Sequence, residues 1–272
     1  MKDFSINVKL PSGKFTRVPE LSNKTYFKLI KFCENSDYEG FNSFVETNII
    51  SDTSLDIIDR FYLIIFYRMV FVRENLTFTT KDQQTLDYSL NIILERIESC
   101  YNDFSKDIIF NDIRLHVGLP TTLYFSTIDE LYTTVIKQVT LFNNTIDFTN
   151  CTREEKDDIL SRLPPSIFFK IREYVTDVSE SLQDFIIIEE NKLFDIEQYK
   201  LNILSNGIMS FICSLFSGSL PGFYTLMYGF INRIGADSEL FYSLSPVEAQ
   251  VILNIHNKEV EKQNEELKNQ SQ

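Results

Sequence analysis

SLDIIDRFYLIIFYRMVFV, residues 54–72, is the stretch on which the fold turns. Its length approaches the ~20 residues that cross a bilayer, yet Asp59, Arg60 and Arg68 interrupt it. The pattern is that of a buried core helix, the most apolar of the first half, rather than a membrane span.

Upstream, in INVKLPSGKFTRV (residues 6–18), residues 6–8 and 15–18 alternate apolar and polar around Pro11-Ser12-Gly13. Pro fixes φ and Gly supplies a positive φ, so the stretch predicts a hairpin. Ser22 fits an N-cap, with Tyr26, Phe27, Leu29, Ile30 and Cys33 following at helical spacing. A short helix over residues 40–50 carries Phe41, Phe44, Val45 and Ile49 on one face.

Downstream, residues 75–80 alternate like a strand, residues 90–100 read as a helix, and IIFNDIRLHV (residues 108–117) alternates again until Gly118-Leu119-Pro120 ends it. YNDFSK (residues 101–106) is polar and lacks a period. A boundary there separates a hairpin-plus-helices region, 1–105, from a mostly helical region, 106–272.

In the second half, Leu131, Val135 and Val139 predict a helix over residues 127–141. Thr152-Arg153-Glu154-Glu155 is a capping box, and Leu163-Pro164-Pro165 ends one helix and starts the next, which runs to Leu182 with Ile167, Ile171 and Val175 in a row. FIIIE, residues 185–189, fits a strand or a helix extension equally. Residues 201–232 are uncharged but broken by Ser217-Gly218-Ser219 and Pro221-Gly222. A buried helical hairpin is the first reading; a membrane-associated hairpin, or an apolar surface awaiting a partner, is the alternative. Ser245-Pro246-Val247-Glu248 is a second capping box and predicts an extended helix over 245–268. The fold class is mainly α with minor β (α+β).

The net charge of −13 is spread along the chain and no basic patch appears, which argues against a nucleic-acid partner. Cys33, Cys100, Cys151 and Cys213 form no C-x-x-C pair and no signal peptide precedes them. They read as buried thiols in a reducing cytoplasm. His116 and His256 lie in no metal or triad motif, and phosphate-loop, dinucleotide and nucleophile-elbow motifs are absent from the sequence. Carboxylate pairs such as Glu154-Glu155 and Asp157-Asp158 read as a solvated acidic face. No catalytic residue, cofactor or metal is expected; a hydrolase would have to act through groups that no motif marks.

Two segments read as partner-binding. Leu10-Pro11-Ser12-Gly13-Lys14 lacks the glycines of a phosphate loop and the helix that follows one, so it reads as a structural or docking element. In the last helix Leu253, Val260 and Leu267 are spaced by seven with Asn257 and Asn264 between them, a short coiled-coil-like seam.

The order of a short strand, Leu10-Pro11-Ser12-Gly13-Lys14, a second strand and Glu20-Leu21 before the Ser22 helix resembles the baseplate hub assembly proteins of contractile-tailed, T-even-type bacteriophages. IRLHVGLP (113–120), IDELY (128–132), EEKDDILSRLP (154–164) and LSPVEAQVILNIHNKEVEKQNEEL (244–267) extend the likeness over most of the chain. The resemblance implies a protein made in the cytoplasm of the infected bacterium that helps build, or becomes part of, the central hub of the tail baseplate. It also implies other hub or tape-measure proteins, or a second copy of the chain, as partners. It carries no catalytic residues.

Overall fold

The computed structural model describes residues 5–79, 85–142, 144–182, 187–188, 199–200, 203–205, 207–216 and 219–270. Strands β1 (Ser5–Lys9) and β2 (Phe15–Pro19) form the opening hairpin, with Gly13 at φ 81° where a side chain would be strained. Helices α1 (Asn23–Glu34), α2 (Tyr38–Asn48) and α3 (Ile57–Phe71) follow. Ser22 caps α1 by accepting from the Thr25 amide, as expected, and Asp37 caps α2 by accepting from Gly40. Gly40 is needed there, because a Cβ would run into the Asp37 carboxylate.

Asp56 caps α3, and the rest of that helix is buried on nearly every side. Its three charges are buried too, and each is satisfied internally. Asp59 accepts from Ser12; Arg60 donates to the Leu55 carbonyl at 2.9 Å and pairs with Glu46 at 3.3 Å; Arg68 donates to the Leu215 and Arg73 carbonyls, both at 2.8 Å. The core-helix reading of residues 54–72 holds, and the charges that interrupt it tie the core to its surroundings.

A hairpin, β3 (Asn75–Thr79) with β4 (Thr85–Ser89), leads into α4 (Leu90–Cys100), which packs on α3. Next comes an antiparallel sheet of β5 (Lys106–Phe110), β6 (Ile113–Val117), β7 (Ile136–Leu141) and β8 (Asn144–Asp147), with α5 (Ile128–Val135) between β6 and β7. Two sequence expectations change here. Residues 108–117 are two strands rather than one, because Asn111 takes φ 51° and turns the chain between Phe110 and Ile113. The helix expected over 127–141 ends at Val135, and IKQVTL continues as β7 because both its edges find ladder partners in β6 and β8.

A 3-10 turn at Phe148–Asn150 leads to α6 (Arg153–Ser161), with its capping box formed, and to α7 (Pro165–Leu182), which starts on Pro165 and buries Ile167, Ile171 and Val175. Ile187–Ile188 (β9) pairs with Tyr199–Lys200 (β10); the rest of FIIIE lies outside the described residues. Last come α8 (Gly207–Phe216), α9 (Ser219–Ile234), α10 (Ser238–Ser243) and α11 (Pro246–Gln270).

Helix α8 packs on α1 and α3, while α9 packs on α1, α10 and α11. Ile208–Ile234 is long and apolar enough to cross a membrane by length and composition, but 53% of its apolar 18-residue window is buried within the protein. Ile208, Met209, Ile212, Cys213 and Phe216 go into the core, which fits the buried reading of this stretch. The break at residues 217–218 lies outside the described residues. Buried side chains from Val8 to Ala249 form one hydrophobic cluster.

Candidate functional site

The structure places the two expected docking segments very differently. In the first, Leu10 is only 3% exposed and belongs to the core. The turn closes through Leu10 N to the Lys14 carbonyl at 2.8 Å and Gly13 N to the Leu10 carbonyl at 2.9 Å. Its tip is fastened to the start of α3: the Ser12 amide and hydroxyl donate to the Asp59 carboxylate at 3.1 and 2.6 Å, and Lys14 Nζ donates to the Ser54 carbonyl at 3.0 Å. Burial and the nearby Asp56 raise the Asp59 acid above the ordinary carboxylate range, while the two Ser12 bonds pull it the other way. The turn is therefore packed onto the start of α3 of its own chain, with Pro11, Gly13 and Lys14 left partly or fully at the surface.

The second segment starts inside and ends outside. The Ser245 hydroxyl accepts from the Glu248 amide at 3.2 Å, and the Ser245 amide and hydroxyl donate to the Glu248 carboxylate at 2.8 and 3.0 Å, so the capping box that starts α11 is formed. Leu253 is buried against α9, where Gly229 lacks the Cβ that would stand 3.1 Å from the Leu253 methyl. Four residues further along both helices, Arg233 Nη1 donates to Asn257 Oδ1 at 3.1 Å. The two helices thus run parallel, and α9 ends at Ile234, opposite residue 258 in this register. Beyond that point α11 extends for residues 258–270, about 20 Å at the helical rise, with Val260 39% and Leu267 62% exposed and Asn264 at the surface.

The sequence reading missed a second apolar row on α11: Val247, Val251 and Ile255, exposed and spaced by four on the side opposite Leu253. That spacing is legible in the sequence as a row every four residues. It also missed the tip of the β7–β8 turn, where Phe142 is 81% exposed at φ 49°, a backbone region that bulky residues seldom adopt.

Other arrangements carry less. His116 Nδ1 lies 3.0 Å from Asp107, which also pairs with Arg114, on the open face of the four-stranded sheet. Asp107 is held below the ordinary carboxylate range by Arg114 first and His116 second. A cleft of about 510 Å³ lies between α2, α5 and the loop before α5, lined by Asn42, Glu46, Thr53, Arg60, Thr122 and Glu130. The Arg60 guanidinium at its base is already engaged by Glu46 and the carbonyls of the loop before α3. Among the described residues no group of three or more His, Cys, Asp or Glu is arranged to hold a metal. Cys33 and Cys213 are buried as expected, whereas Cys100 and Cys151, near element ends, are half-buried.

No curated protein and no solved structure matches the chain. The family model described as T4 bacteriophage base plate protein matches residues 1–184, from the opening hairpin through α7, so well over half of the sequence is covered. The docked hairpin, the buried α3 and the four-stranded sheet are therefore the frame of a phage baseplate component, and the chain belongs to the T4 bacteriophage base plate protein family.

Proposed function

We propose that this protein acts at the baseplate hub, helping to assemble it or forming part of it through contacts with other hub or tape-measure proteins, during tail assembly in the infected cell. The observation that carries the reading is the last helix, C-terminal to the family-matched residues 1–184, which projects past the end of α9 with apolar side chains outward. Such a helix gives a partner a ready-made ridge to grip, and binding through preformed helices avoids much of the ordering cost of flexible segments. The net charge of −13 keeps a chain with exposed apolar rows dispersed until a partner arrives. The work is done by binding, and the reading assigns no catalytic residue, cofactor or metal.

The test is mass spectrometry of purified virions beside lysate of the same infection, joined to affinity purification of the tagged chain. Recovery in the particle in fixed proportion to hub proteins makes it a hub subunit. Abundance in lysate and absence from particles, with hub proteins co-purifying, makes it an assembly factor. Recovery with baseplate proteins from outside the hub, and none within it, removes the hub reading.

A further inference from the structure

We propose that Cys33 and Cys213 form a dithiol couple that closes to a disulfide under hydrogen peroxide and staples α8 to α1. Both thiols lie in the core, each 5% exposed, on helices that pack on one another. Two neighbouring contacts fix the level at which they meet. The Tyr26 ring lies 6.3 Å from the Phe216 ring, and the Tyr38 hydroxyl lies 3.1 Å from the Ser210 hydroxyl. Cys33 falls between residues 26 and 38 as Cys213 falls between 210 and 216, so the packing sets the two sulfurs side by side. The hydrogen bond between them lowers the Cys213 thiol and raises the Cys33 thiol, and burial raises Cys33 further. The other two cysteines have oxygen neighbours instead: Cys100 the Ser99 hydroxyl at 3.6 Å, and Cys151 the Asp147 carbonyl at 3.4 Å.

This asymmetry sets the order of events. Cys213, the first to lose its proton, attacks one oxygen of the peroxide; the O–O bond breaks, the departing hydroxide takes up that proton as water, and Cys213 becomes a sulfenic acid. The Cys33 sulfur then attacks Cys213 Sγ, the S–O bond breaks, and the hydroxide leaves as water with the Cys33 proton. Two thiols are thereby oxidised to one disulfide and the peroxide is reduced to two waters. A peroxide is small enough to reach a pair so deeply buried. The bridge joins α1, within the family-matched residues 1–184, to α8, beyond them. A disulfide restricts the unfolded chain more the longer the loop it closes, and this loop takes in most of the sequence. In a reducing cytoplasm the couple stays open and packing alone holds the two helices; in oxidising surroundings it closes and they can no longer part.

The experiment uses the full chain purified alone under reductant, so its outcome is independent of the hub reading. The reductant is removed, a slight excess of hydrogen peroxide is added, the remaining thiols are capped, and linked peptides are mapped by mass spectrometry. The expected result is a 33-to-213 link several-fold more abundant than any link to Cys100 or Cys151, with a melting temperature raised by several degrees that falls back on adding dithiothreitol. Cys33→Ser should stop the reaction at a sulfenic acid on Cys213, which dimedone captures, whereas Cys213→Ser should leave Cys33 several-fold less reactive. The link and the melting shift are read on the unaltered chain, so they stand even if a variant fails to fold. Free thiols at both positions after Cys100 and Cys151 have been oxidised, a 33-to-213 link that forms only in urea, or a link that leaves the melting temperature where it was overturns the proposal. Dimedone captured as readily on Cys33 of the one variant as on Cys213 of the other overturns the assigned order.

Discussion

The opening turn and the closing helix carried the same expectation, a surface for a partner, and the fold gave them opposite fates. The turn is folded inward: Leu10 sits in the core and Ser12 is bound to a buried carboxylate. The helix begins inside, at Leu253, and leaves the body after Asn257. The difference lies in what each segment meets within its own chain. Asp59, a buried acid in the first turn of α3, needs donors and takes them from the turn. Past Ile234 α9 has ended, and Val260 and Leu267 of α11 are exposed.

The largest effect expected from this contrast comes from ending the chain at residue 184, the limit of the family match. Helix α1 packs its buried face, which includes Tyr26, Leu29, Ile30 and Cys33, with α8, α9 and α10 beside it. A chain ending at residue 184 would expose that face, and loss of a cooperative unfolding transition, with binding of an apolar dye, is the outcome to look for. If the shortened chain unfolds as sharply as the whole one, the inward-facing half is self-sufficient and the contrast weakens.

Leu10→Ala should cost about 2–5 kcal/mol, the usual range for a fully packed leucine, measured by urea unfolding. Ser12→Ala should cost about 1–3 kcal/mol by leaving Asp59 without its hydroxyl donor. A change below ~0.5 kcal/mol for both would mean that the turn is only lightly attached.

Glu20 lies where the two segments meet, since it follows the hairpin and faces Glu248 at the start of α11. Burial, and then Glu248, raise its acid above the ordinary value. A raised acid binds protons more readily folded than unfolded, so its contribution is present at low pH and is lost as pH rises through the folded value. Glu20→Gln should therefore be more stable than the parent at neutral pH, with the gap closing on acidification. Parallel stability curves for the two proteins would show that the carboxylates do not interact.

The smallest effect belongs to the projecting end. Leu267→Ala, or ending the chain at Asn257, should change unfolding free energy by no more than ~0.5 kcal/mol, because these residues contribute little to the body. A larger loss would mean that the seam packs on its own chain.

Much of this was readable from residues alone. Ser22, Thr152, Pro165 and the Ser245–Glu248 box announce helix starts through local hydrogen bonds, and local chemistry needs no knowledge of the fold. The sheet was harder. Whether IKQVTL coils or extends depends on ladder partners in β6 and β8, outside its own local pattern, and Asn111 hides a turn within a segment, residues 108–117, that reads as one strand. The fate of the Leu10–Lys14 turn was the least legible, because its partner carboxylate lies 47 residues away.

One pair of bonds ties the two ends of the molecule together. The Asn23 side chain donates to the Phe241 carbonyl at 2.9 Å across 218 residues, and its amide donates to Leu244 at 2.7 Å. During synthesis at roughly 5–20 residues per second, Asn23 waits on the order of 10–40 s for those acceptors to be made. Through that interval the apolar face of α1 is uncovered, so the nascent chain is a client for whatever guards hydrophobic surface in the cell.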